Sequence, residues 1–196
     1  MVEQTLRNHQ NLLNSRYENT VPDHRNLLKS IFKLIFATSM KEDELCNCQK
    51  WTTIGFQNRD PSTDLRSLGV LGLTTLEYHC KYHTTSVKNH FIHRDYPYAC
   101  TSFAIVNFMV QQMTMRNITT APVETPMILL MKKELYFNGE TLETMDLFER
   151  LFCILFECFD KLWVKQQATY MDFNIVYDTF AKQVTTLLKK EPANFR

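Results

Sequence analysis

Arg66 closes the run Asp60-Pro61-Ser62-Thr63-Asp64-Leu65-Arg66, so a guanidinium stands a few residues from two carboxylates. The commonest fate of such an arginine is a structural ion pair, and the rarer alternative is a cation presented for catalysis. Asp60 and Asp64 also suit helix capping, because a short carboxylate can accept the free amides of a first turn. A second set of reactive types comprises Cys46, Cys48, His79, Cys80, His83, His90 and His93. These side chains can bind zinc, but CxC followed more than thirty residues later by HCxxH departs from the usual structural spacings, so no metal site is expected. Cys80 has histidines nearby but no third orienting group in the pattern, which leaves a reduced spectator thiol as the expectation.

The elements around these residues read as helices. Leu27, Leu28, Ile31, Phe32 and Ile35 recur at helical spacing after Pro22 and Asp23, which predicts a helix over about 23–38 with Asp23 as its cap. The polar run from Met40 to Lys50 reads as an exposed connection into a turn-rich segment led by Trp51. From Asp60 and Pro61 a helix is expected, with Asp64 as a second candidate cap and Leu65, Leu68, Gly69, Gly72 and Leu76 on one stripe. Glycine inside a helix costs about 1 kcal/mol relative to alanine. Gly69 and Gly72 on an apolar stripe therefore predict the close approach of another helix.

A helical pattern follows Pro97, and Pro122 and Pro126 break the chain before MILLMKKELYF, which is ambiguous between helix and strand. After Asn138 and Gly139, the run from Leu147 to Leu162 predicts a long helix that is apolar on much of its circumference and therefore central. Asp172 is expected to cap a last helix carrying Phe173, Val176, Phe180, Val184, Leu187 and Leu188. Strand alternation is scarce, so the expected fold is all-α, a single-domain multi-helix bundle of six to eight helices.

Composition limits the function classes. With 44% hydrophobic residues and only 4 Gly and 6 Pro in 196 residues, the chain has the profile of an ordered globular protein. A net charge of +1 lacks the electrostatic footprint of a phosphate-backbone binder, so nucleic acid is not an expected partner. The first residues contain no apolar signal core, and no uncharged apolar run is long enough to cross a bilayer. Six irregularly spaced cysteines read as reduced thiols, and the expected location is cytoplasmic.

The segment WTTIGFQNRDPSTDLRSLGVLGLTTLEYH, residues 51–79, resembles the signature of the ELMO domain family. That signature runs Trp, three residues, Gly-Phe-Gln, two residues, Asp-Pro-x-Thr-Asp-Phe-Arg-Gly-x-Gly-x-Leu-Gly-Leu-x-x-Leu-x-Tyr-Phe. Trp51, Gly55, Phe56, Gln57, Asp60, Pro61, Thr63, Asp64, Arg66, Gly69, Leu71, Gly72, Leu73, Leu76 and Tyr78 match it. The departures are Leu65 for Phe, Ser67 for Gly and His79 for Phe. Later segments, YPYACTSFAIVNFM and YMDFNIVYDTFAKQV, also look like the family, which implies an N-terminal extension over 1–22, an ELMO domain over 23–190 and a tail over 191–196.

Small stand-alone members of that family are GTPase-activating proteins for Arf-family and Arf-like GTPases. The resemblance implies the same role here, with Arg66 as the catalytic arginine supplied in trans. Phosphoryl transfer spreads negative charge that a guanidinium offsets, so the residue type suits the task. Gln57, Asp60, Thr63 and Asp64 are then the partner-binding or orienting residues, and Trp51, Gly55, Phe56, Pro61, Gly69 and Gly72 form the structural motif. Ser67 adds a side chain beside the arginine where the family has glycine. No cofactor is expected on this chain, since GTP and Mg²⁺ would belong to the GTPase and no GxxxxGK[ST] loop is present. Any membrane contact would be peripheral and through the GTPase. The alternative class is a non-catalytic scaffold resembling larger ELMO proteins that bind a Rac-directed exchange factor. The retained arginine, and a chain with no room for those scaffolds' other domains, favour the first class.

Overall fold

The computed structural model describes residues 2–117, 124–138 and 147–190, without the side chains of 43 and 134–138. The expected break at Pro122 and the tail over 191–196 lie outside these residues. Within them the chain is all-α: α1 (Val2–Asn14), α2 (Pro22–Phe36), α3 (Gln49–Ile54), α4 (Gly69–Tyr82), α5 (Thr84–His93), α6 (Tyr98–Gln112), α7 (Pro126–Asn138), α8 (Leu147–Lys165) and α9 (Phe173–Lys190). Among the described residues these nine helices exceed the roughly six to eight expected, because α1, α3 and α5 escape the periodicity reading. In α1 the buried stripe is Val2, Thr5, Leu6, His9 and Leu13. Its spacing is helical, but Thr5 and His9 interrupt the apolar signal.

The ambiguous segment after Thr125 is helix α7, whose start is secured by Thr125 Oγ1 accepting from Ile128 N at 3.3 Å. Two expected caps are corrected. Asp23 lies inside the first turn of α2, Pro22 being its first residue, and the cap position is held by Val21 with no side-chain bond. Its charge can still favour the positive end of the helix dipole. Asp172 ends a 3-10 turn, Tyr170–Asp172, and its Oδ2 accepts from Thr169 N at 2.9 Å and Thr169 Oγ1 at 2.8 Å. The carboxylate thus tightens the turn before α9 instead of capping α9 itself.

Backbone proximity groups the chain into two compact units, residues 11–106 and residues up to 10 together with those from 107 onward. In the first unit α2 packs along α4. An aromatic chain runs through it from Phe32 to Trp51, Phe56 and Phe103, with successive centroids 5.5, 5.4 and 5.6 Å apart in edge-on contact. In the second unit α8 packs along α9, with Phe159 edge-on to Phe180 at 5.8 Å and also against Phe173. His9 and Glu149 form a buried pair there, Nε2 to Oε1 at 2.8 Å. Burial pulls the His9 pKa down, but the hydrogen bond and charge of Glu149 together with the hydrogen bond to Thr5 O outweigh it and leave the pKa raised. No helix among the described residues is long and apolar enough to cross a membrane.

Candidate functional site around Arg66

The loop that carries Arg66 begins where α3 ends. Gly55 terminates α3 with φ +97°, and a Cβ there would lie 2.5 Å from Tyr98 N and 2.6 Å from Pro97 C. Only glycine meets both demands, a left-handed backbone and contact with another main chain. Gly55 O accepts from Cys100 N at 3.2 Å, and Phe56 N donates to Trp51 O at 3.1 Å, so the start of the loop is tied to the first turn of α6 and to α3. Trp51 and Phe56 are buried beneath it, with Trp51 Nε1 donating to Leu45 O at 3.0 Å.

The polar signature residues then bind the loop's own main chain. Asp60 Oδ1 accepts from Ser62 N at 3.0 Å, and buried Pro61 occupies the first position of a 3-10 turn, Pro61–Asp64. Thr63 Oγ1 donates to Asp60 O at 2.9 Å and accepts from Asn58 Nδ2 at 3.2 Å. Asp64 Oδ2 accepts from Gln57 N at 2.7 Å, which closes the loop from its far end. Burial raises the Asp64 pKa, opposed by the Gln57 N–H, the Thr63 hydroxyl and the charge of Arg66. Gln57 enters this network through its backbone.

The helix expected from Asp60 and Pro61 is therefore only this short turn. Leu65 and Leu68 are buried, and α4 starts at Gly69, whose φ is +53°. A Cβ on Gly69 would lie 2.4 Å from Ser15 O and 2.6 Å from Leu13 O, so this glycine meets the chain leaving α1 at the N-terminal end of α4, outside any helix interior. Val70 N donates to Ser15 O at 2.9 Å at the same place. Gly72 lies within α4, where a Cβ would meet the Phe103 ring at 3.2 Å.

Between these anchors Arg66 and Ser67 are exposed. Among the described residues the Arg66 guanidinium has no hydrogen bond and no carboxylate within ion-pair distance. It lines a cleft of about 160 Å³ with Arg16, Tyr17, Ser62, Thr63 and Leu65. Arg16 and Ser62 carry no local signal in the sequence; Arg16 follows Ser15, whose carbonyl accepts from Val70 N and abuts Gly69, three residues after Arg66. Within the other reactive set His79 and His83 stand together, their ring centroids 5.4 Å apart, while no third member of Cys46, Cys48, Cys80, His90 and His93 joins them closely enough to share an ion. All six cysteines are free, and burial pushes the Cys80 thiol up to about 12 and that of Cys100 up to about 11. His79 is buried, its Nδ1 2.9 Å from Tyr98 Oη, and burial with the neighbouring His83 and His90 lowers its pKa to about 3.

A model of the ELMO/CED-12 family matches residues 7–177. ELMO domain-containing protein C of Dictyostelium discoideum is 28% identical over 185 residues, covering 91% of this chain and 29% of that protein. ELMO domain-containing protein 2 of Mus musculus is 26% identical over 180 residues, covering 91% of this chain and 58% of its own length. Ankyrin repeat and ELMO domain-containing protein D of Dictyostelium discoideum is 27% identical over 179 residues, 89% of this chain and 13% of the relative. The chain thus spans 13 to 58% of the length of these three curated relatives. A family match over most of the chain, with the signature residues gathered in one hydrogen-bonded loop, establishes that the chain belongs to the ELMO/CED-12 family.

Proposed function

We propose that this domain is a GTPase-activating protein for small GTPases of the Arf and Arf-like family, with Arg66 entering the partner's nucleotide site in trans. The observation that carries the reading is the state of Arg66: exposed, with no carboxylate partner among the described residues, beside a loop whose acidic side chains are bonded to backbone amides. A guanidinium held by Asp60 or Asp64 would have to leave a salt bridge before acting on another molecule. This one does not.

In the reaction, water attacks the γ-phosphorus of GTP, the bond to the β–γ bridging oxygen breaks, and GDP leaves with inorganic phosphate. The partner holds nucleotide and Mg²⁺, and Arg66 stabilises the charge that grows on the transferring and leaving oxygens. Such an arginine accelerates hydrolysis by about 10³ to 10⁵. The domain would act in the cytoplasm and reach membranes through its GTPase. Single-turnover GTP hydrolysis by a panel of Arf-family and Rho-family GTPases tests the reading. Stimulation of an Arf-family member is expected, and a flat response across that family overturns it.

A further inference from the structure

We infer that Arg16 and Arg66 form one oxyanion-binding cleft for phosphate groups, with Arg16 as a binding residue that acts beside Arg66. Both arginines line the cleft and both are exposed. Among the described residues neither has a hydrogen bond or a carboxylate within ion-pair distance. Ser62 adds a hydroxyl with no partner there. The remaining polar groups are committed: Thr63 Oγ1 to Asp60 O, and Tyr17 Oη to Asn19 Oδ1 at 2.6 Å. The acidic neighbours Asp60 and Asp64 accept from Ser62 N and Gln57 N, so their lone pairs are partly satisfied by the loop. The free donors facing the cleft are thus two guanidinia and one hydroxyl, a set that matches a tetrahedral oxyanion with several acceptor atoms.

Arg16 holds its place through the backbone. The bond from Val70 N to Ser15 O and the contact of Gly69 with the same carbonyl fix the chain one residue before it. Buried Tyr17, stacked on His24 with centroids 5.6 Å apart, fixes the chain one residue after it. An exposed arginine between two such anchors has a defined origin and a side chain free to meet a ligand.

The phosphate could be free or carried on a nucleotide held by a partner, and two measurements on the full chain separate these sources. In the first, inorganic pyrophosphate is titrated while the Arg Nε resonances are followed by NMR. The Arg16 and Arg66 signals should shift together and saturate, and Arg16→Ala should weaken binding about tenfold, the loss that one charge-assisted hydrogen bond brings. Shifts no larger than those from chloride at equal ionic strength, or an unchanged affinity in Arg16→Ala and Arg16→Gln, overturn the inference. In the second, single-turnover hydrolysis is measured against domain concentration with a responsive GTPase. Arg16→Ala should raise the half-saturating concentration and spare the plateau if the phosphate is the nucleotide's, and should change neither if it is free. This second measurement rests on the function proposed above. If the wild-type domain stimulates no GTPase, that function falls while the pyrophosphate result still decides the inference.

Discussion

The carboxylate of Asp64 reaches back across its loop to accept the backbone N–H of Gln57 at 2.7 Å, so the residue two positions before Arg66 shapes the arginine's platform without touching it. Asp64→Ala should cost about 0.5 to 1.5 kcal/mol, because the bond it removes joins a half-buried carboxylate to the exposed Gln57 amide, which water can then satisfy. Asp64→Asn keeps an oxygen for the same amide and should recover most of the loss. Thermal unfolding of the two variants checks this, and equal destabilisation by both would show that the charge matters more than the bond.

Arg66→Ala should behave in the opposite way. An exposed side chain with few contacts can be removed at a change of about 0.5 kcal/mol or less. Stimulated hydrolysis should nevertheless fall by a factor of about 10² or more. Arg66→Lys should recover little, because an ammonium keeps the charge but lacks the planar fork. Paired unfolding and single-turnover assays decide the matter: activity lost only in proportion to stability would reduce Arg66 to a structural residue.

The two signature glycines of α4 should respond differently to alanine. At Gly69 a Cβ meets main-chain carbonyls and the backbone is left-handed, so Gly69→Ala should destabilise by about 2 kcal/mol or more. At Gly72 the neighbour is the Phe103 ring, which can yield by a few tenths of an ångström, and alanine gains about 1 kcal/mol of helix propensity. Gly72→Ala should therefore be close to neutral, whereas Gly72→Leu should cost about 1 to 3 kcal/mol. Denaturant midpoints rank the three, and a tolerated Gly69→Ala would contradict the backbone contact.

Two histidines should tilt the pH dependence of stability in opposite senses. His79 has its folded pKa depressed to about 3 against an ordinary 6.5, so the unfolded chain binds more protons in between and stability is lost as pH falls from about 6.5 toward 3. His79→Phe, which supplies the aromatic of the family signature, should flatten that acid limb. His9 has its folded pKa raised, so its contribution is complete below about 6.5 and is lost as pH rises through the folded value. His9→Gln should remove that alkaline decline. Unfolding free energies measured from pH 4 to 8 test both, and a common direction of change would refute the assignment.

The parts of the fold legible from sequence are those where burial is purely apolar. α2, α8 and α9 present uninterrupted stripes, and their positions agree with the periodicity to within a few residues. α1 was obscured because His9 occupies a core position only with Glu149 across from it, a partner 140 residues away. The supposed helix after Asp60 failed for a related reason: local capping chemistry starts a turn there, but burial of Leu65 and Leu68 and the left-handed Gly69 end it. At the site, Asp60 and Asp64 could be picked out locally as capping types, whereas Thr63 and the role of Arg66 come from the resemblance to the ELMO signature. That the acids serve backbone amides, and that Arg16 lines the same cleft, depends on tertiary closure through Gln57 and Ser15 and has no local signal.

The loop from Gly55 to Gly69 is fastened at both ends to main chain and crossed by the Asp64 bond, so its conformational entropy is surrendered when the domain folds. A partner docking there meets a surface already set, and the ordering left for association is confined to long side chains such as Arg16 and Arg66, about 0.5 to 1.5 kcal/mol for each. Any change that frees the main chain, such as Gln57→Pro, which deletes the N–H that Asp64 accepts, transfers that ordering cost to the encounter. Such a variant would keep every charged side chain of the cleft and still associate more weakly, with a more unfavourable binding entropy by calorimetry.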